Sequence, residues 1–236
     1  MDALRTRTAA DAEALAAAGF DAVIVENFGD APFFRDAVPP ETVAAMTVLA
    51  DVARAASGLP LGVNVLRNDG VAAMAIAAAT GARFVRVNIL AGARVADQGI
   101  VQTDAARLLR LRRALDATGV AIVADVSVKH SVALGGDDPA REAVEVVERG
   151  LAEVVVVTGD RTGGEADGAV LETVKRAVPG AAVWLGSGVR ADTAAAWAAR
   201  ADGAIVGSAL RAGGIAGGPI DADRALAFAR AWRGGA

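Results

Sequence analysis

Four acid–base side chains stand out by where they fall along the chain. Glu26 ends the apolar run AVIVE, and Asp125 ends VAIVAD; Lys129 and His130 follow Asp125 four and five residues on. A carboxylate, an ammonium and the chain's one imidazole thus share a single loop in ADVSVKH. Histidine is the natural proton carrier near neutral pH. A lysine there could hold a phosphate, stabilise an enediolate, or form a Schiff base if desolvated. Asp125 suits a base or a metal ligand. In VENFGDAPF, Glu26 and Asn27 lead into a sharp turn at Asp30, where a carboxylate and an amide could bind a divalent metal, orient a sugar hydroxyl or act as base. The structural alternative makes Asp30 a turn former and Glu26 an ion-pair partner.

Other polar residues recur at the ends of apolar runs: Arg67, Asn68 and Asp69 after PLGVNVL, and Thr158, Gly159 and Asp160 after EVVVV. Asn64 and Asn88 lie inside VNVL and VNIL, an echo that places them at matching strand positions. They either satisfy each other as core amides or bond a polar ligand. LGSGV (Gly186, Ser187, Gly188) and VGSAL (Gly207, Ser208) are paired glycine–serine strand ends. Glycine lets a phosphate approach backbone N–H groups, and a following helix adds a favourable dipole; the alternative is that these glycines only close tight turns. TGDRTGGEADG adds a third glycine-rich stretch, read as a loop over the same site.

These residues become neighbours only if strands carry them to one end. Short β-branched runs (DAVIVENF, PLGVNVL, RFVRVNIL, VAIVADVSV, EVVVVTG, AVWLGSGV, GAIVGSAL) alternate with helical stretches predicted over 3–18, 39–56, 69–80, 103–117, 137–149, 167–178, 191–199 and 221–233. Apolar strands separated by amphipathic helices mark parallel βαβ units. An early G-x-G-x-x-G is absent, and the glycine–serine loops sit in the last two units, where phosphate-binding barrels carry theirs. The expected fold is therefore a (β/α)₈ TIM-barrel-like parallel barrel, one domain over 1–236. Seven strands are counted and the chain opens on a helix, so the first strand of the barrel is missing from the count.

Composition excludes several classes. With no cysteine there is neither a disulfide nor a thiolate site. The net charge of -4 leaves no electrostatic footprint for nucleic acid. Although 54% of residues are hydrophobic, the runs are too short to span a bilayer, and the opening residues read as an amphipathic helix, so a leader is not expected. No membrane insertion and a cytoplasmic location are expected.

The ordered set VENFGDAPF, VNVLRND, RVN with Asp97-Gln98-Gly99, ADVSVKH, VVTG, GSGV and DGAIVGS resembles the BtpA/SgcQ family over essentially the whole chain. The resemblance implies a phosphate-binding barrel. It also implies a role linked either to photosystem I biogenesis or to sugar utilisation, with an extra first strand in relatives. The leading expectation is an enzyme acting on a phosphorylated sugar or nucleoside-like metabolite by isomerase, lyase or glycosyl-bond chemistry, with Asp125, Lys129, His130 and Glu26 catalytic. Asn27, Asp30, Asn64, Asn88, Thr158, Gly159, Gly186, Ser187, Gly188, Gly207 and Ser208 would bind ligand. The alternatives are a non-catalytic assembly factor and a ligand-binding regulator. No cofactor is evident beyond a divalent metal, and a homo-oligomer is expected.

Overall fold

The computed structural model describes residues 1–159, 164 and 167–234. Its helices are α1 (Asp2–Ala18), α2 (Pro40–Ser57), α3 (Gly70–Thr80), α4 (Ala105–Ala114), α5 (Pro139–Val144), α6 (Gly168–Ala177), α7 (Ala194–Ala198) and α8 (Ala222–Gly234). The strands are β1 (Val23–Glu26), β2 (Leu61–Asn64), β3 (Phe84–Val87), β4 (Ala93–Ala96), β5 (Gly99–Gln102), β6 (Ala121–Val126), β7 (Ser131–Ala133), β8 (Val154–Val157), β9 (Ala182–Leu185) and β10 (Gly203–Ala204).

Local chemistry sets these boundaries. Gly19, Gly58 and Gly81 end α1, α2 and α3 in the left-handed conformation that glycine adopts without steric cost. Asp69, Asp138 and Asp167 cap α3, α5 and α6 by accepting a first-turn N–H at 2.7–3.1 Å.

Seven strands form one curled, all-parallel sheet in the order β1-β2-β3-β6-β8-β9-β10. It is a half-barrel, since β1 and β10 end the sheet and do not pair with each other. The helix layer goes further round than the strands, because α1 packs on both α2 and α8. The seven-strand count from the sequence therefore holds. Three further strands were not foreseen: β4, β5 and β7 pair antiparallel in the order β5-β4-β7 as a separate small sheet. They are short, of three or four residues each, and Arg94 puts a charge inside β4, so periodicity gave no signal.

Side chains alternate between the two faces of each strand. Outward go Val63, Val85, Ile122, Val155 and Val183, all fully buried against the helices in the main core cluster. Inward, the first layer is aromatic: Phe84 and Trp184 meet edge to face at 6.1 Å and 88°, reaching across the concavity from β3 and β9. Room for them comes from glycine. A Cβ at Gly62 would lie 2.1 Å from the Phe84 ring, and one at Gly203 would lie 2.9 Å from Trp184.

Candidate active site

Two residues above the aromatic pair the inward layer becomes charged. Arg86 follows Phe84 by one strand repeat, and Asp125 stands on the neighbouring β6. Arg86 donates Nε to Asp125 Oδ1 at 2.8 Å and Nη2 to Asp125 Oδ2 at 2.9 Å, a two-pronged pair with side chains 3% and 0% exposed. Burial would drag the Arg86 guanidinium down; the attraction and hydrogen bonds of Asp125, with Glu26 adding, reverse this and hold it above its ordinary value.

The carboxylate also orders two amides. Asn88 Nδ2 donates to Asp125 Oδ2 at 2.8 Å, which turns Asn88 Oδ1 toward Asn64 Nδ2 at 3.2 Å. Asn64 Nδ2 donates again to the Arg86 carbonyl at 3.0 Å. Both Asn64 contacts are acceptors, so the amide cannot be turned over, and its Oδ1 is left buried without a hydrogen-bond partner. The two asparagines thus bond each other and also leave one acceptor facing inward for a donor. They are not at equivalent heights: Asn64 is in register with Arg86, so Asn88 lies one inward layer nearer the strand ends.

Glu26, half-buried at the end of β1, is in register with Asn64 and so stands level with this tier at the edge of the sheet. Above it sits a second tier, reached through loops. Asn27 is structural in its contacts: its Oδ1 accepts Leu66 N–H at 2.7 Å, and its Nδ2 reaches Asp30 Oδ2 at 3.2 Å in an exposed turn. Lys129 is half-buried and His130 exposed. The segment carrying them is pinned on several sides. Thr158 Oγ1 donates to the Ser127 carbonyl at 2.8 Å and accepts Lys129 N–H at 3.2 Å. The buried Arg67 donates to the Lys129 carbonyl at 2.8 Å. Glu142 Oε2 accepts Ser127 N–H at 3.0 Å and is itself held by Arg94, which spans to Asp137 and Ser131. Ser127 and His130 are held at φ 52 and 56, a left-handed conformation that is costly for residues with a Cβ.

Burial chiefly lowers the Lys129 ammonium from its ordinary value, Arg86 and Arg67 lower it further, and Asp125 and Glu26 only partly oppose them. Burial likewise lowers Arg67, with Arg86 adding and Asp125, Asp97 and Glu26 opposing.

On the far side the site is made of backbone. A Cβ at Gly186 would stand 2.6 Å from Val156, 2.7 Å from Thr158 and 3.2 Å from Arg86 Nη2, so only glycine leaves the guanidinium its space. The Gly186 N–H is bonded to the Val157 carbonyl at 2.8 Å, and Ser187 Oγ accepts Gly159 N–H at 3.2 Å. Gly188 is left-handed at φ 79. Gly207 and Ser208 lie just past β10, where Ser208–Leu210 forms a single tight turn. Asp160 lies outside the described residues, as does most of the TGDRTGGEADG stretch.

Arg86 was missed as a site residue in the sequence. The available signal was a lone charge inside the apolar strand FVRV, where an unpaired guanidinium would be prohibitively costly. Among the described residues, no three His, Asp or Glu side chains converge as a metal cage. A cleft of about 550 Å³ lies on the flank, lined in part by Asn68, Asp69, Gln102, Asp104 and Arg107. The Arg86–Asp125 pair does not line it.

No helix among the described residues is long and apolar enough to cross a membrane. In fold the chain is similar to N-(5'-phosphoribosyl)anthranilate isomerase from Pyrococcus furiosus, with TM-score 0.61 and 15% identity over 95% of this chain and 93% of that one. It is also similar to a solved structure described as native KDPGal, with TM-score 0.63 and 17% identity over 98% and 90%. In sequence it is 42% identical over 231 residues to the photosystem I biogenesis protein BtpA of a Synechocystis strain, covering 98% of this chain and 80% of the relative. An uncharacterized protein of Thermococcus kodakarensis is 45% identical over 215 residues, 91% of this chain and 80% of that protein. The BtpA family matches over residues 1–234, and the chain belongs to it.

Proposed function

We propose that this protein is an enzyme that binds a small phosphorylated sugar or nucleoside-like metabolite where the parallel strands end, and that it works by acid–base chemistry. The observation that carries this reading is the buried Arg86–Asp125 pair with its ordered amides, with half-buried Glu26 level with it on β1 and half-buried Lys129 in the loop after β6. A sealed ion pair is a poor source of stability, since desolvating both charges offsets most of their attraction. A pair kept at the convergence of strand ends, near a lysine and a glutamate, is better suited to setting the field of a site.

The roles divide by tier. Asp125 accepts three hydrogen bonds, so it orients Arg86 and Asn88, while proton transfer falls to Glu26, Lys129 and His130. The peptides after Gly186, with the Gly207 turn, would receive the phosphate.

The test is thermal stability with inorganic phosphate, ribose 5-phosphate and glyceraldehyde 3-phosphate, each beside its phosphate-free counterpart. Ligand present at about a hundred times its Kd would add about 2.7 kcal/mol. Stabilisation by the phosphorylated members, lost in Ser187→Ala, is expected. If no phosphorylated compound raises the melting temperature, the reading falls.

A second reading has its own support. The Synechocystis relative is, by name, a photosystem I biogenesis protein. Here Val95, Ile100 and Val132, cross-strand neighbours in the small sheet, are 44%, 49% and 62% exposed. Under a role in assembly that apolar face would be the working surface, and the ligand panel would leave the melting temperature unchanged.

A further inference from the structure

We infer that Lys129 is a nucleophile, whose neutral amine attacks the carbonyl carbon of a phosphorylated aldehyde or ketone and forms an imine. This deepens the reading above and rests on it. The chain has 24 basic residues, of which 22 are arginine and only Lys129 and Lys175 are lysine. Where a fixed positive charge would do, this chain nearly always uses arginine. Lysine differs in offering an amine that can lose its proton and attack carbon.

The two lysines sit in opposite settings. Lys175 Nζ donates to the Arg200 carbonyl at 2.9 Å and to Asp202 at 3.1 Å, as a surface ion pair does. Lys129 takes part in hydrogen bonds only through its backbone; its Nζ makes neither hydrogen bond nor ion pair among the described residues. It lies instead near Arg86 and Arg67; of the two carboxylates that oppose them, Asp125 is already engaged by Arg86 and Asn88, and Glu26 forms no ion pair with Lys129 among the described residues. Burial and these cations all favour the neutral amine. The left-handed residues Ser127 and His130 on either side, and the clamps from Thr158, Arg67 and Glu142, hold the lysine in place with no contact to its head group.

In the step itself, the Nζ lone pair forms the C–N bond while the carbonyl π pair moves to oxygen, which takes a proton. The carbinolamine then loses that oxygen as water and becomes the imine, so amine and carbonyl give imine and water. The arginines that keep Lys129 neutral would also favour a phosphate on the same ligand.

The experiment incubates the full chain near neutral pH with pyridoxal 5′-phosphate or glyceraldehyde 3-phosphate, reduces with borohydride, and maps the adducts by mass spectrometry. Lys129 is expected to carry about tenfold or more label than Lys175, because burial leaves more of it as the free amine that attacks carbon. Inorganic phosphate should suppress it, and Lys129→Arg should abolish it while Lys175→Arg keeps it. Equal labelling of Lys175, or no label on Lys129, overturns the inference. Thermal stabilisation by phosphorylated ligands without label on Lys129 would sink the imine and leave the binding reading standing. Label on Lys129 that phosphate does not suppress would do the reverse.

Discussion

The two sides of the site are built by different means. On the β2, β3 and β6 side, side chains do the building: Asn64, Arg86, Asn88 and Asp125 form one hydrogen-bonded, buried set. On the β9 and β10 side there is almost no side chain at all, only Gly186, Ser187, Gly188, Gly207 and Ser208. The difference shows that charge and space are supplied separately. The guanidinium on β3 occupies room that Gly186 leaves open on β9. A change on either side should therefore be felt through the other, whereas the loop after β10 stands apart.

The largest expected effect breaks the charged side. Arg86→Met strands Asp125 as a buried lone carboxylate and should cost about 3–5 kcal/mol in chemical denaturation. The double change with Asp125→Leu should recover much of that loss. Were the single variant as stable as the parent, the pair would not be sealed as described. Next comes the glycine side. Gly186→Ala should cost about 1–3 kcal/mol through its clash with Val156 and Thr158. Gly207→Ala, with open space at its Cβ and a negative φ, should cost less, about 0.5 kcal/mol. Equal losses at the two glycines would erase the distinction.

The smallest effect concerns pH. Because the folded state lowers Lys129 from about 10.5, it costs stability while protonated in the fold. That cost fades as pH rises from the lowered value toward 10.5. Relative to Lys129→Met, the parent should therefore gain stability on the alkaline side. A difference that does not change with pH would mean the ammonium is as well solvated as in the open chain.

Much of the frame was legible in the residues. Runs such as VVVV and AIVADV have the length and branching of strands covered on both faces, and glycine marked the helix ends at 19, 58 and 81. Helix starts were less certain by a residue or two, because Asp69 and Asp167 read as helical when they are caps. The excursion β4, β5 and β7 was hidden, since antiparallel pairing over three or four residues leaves no periodic trace. Polar residues at strand ends pointed to the site, as parallel strands all deliver their ends together. What the residues did not reveal was who bonds whom. Arg86 sits mid-run beside three apolar neighbours, and only its side-chain hydrogen bonds show it meeting Asp125, two residues past its register partner Val123. Asn27 looked like a ligand contact but spends its amide on Leu66 and Asp30.

The aromatic pair beneath the charged tier gives Arg86 and Asp125 an apolar underside. Phe84 and Trp184 offer neither charge a polar partner, so the field of the tier is screened least toward the strand ends, where the loops gather. Replacing either ring by a polar side chain would bleed that field downward without touching a residue of the charged tier.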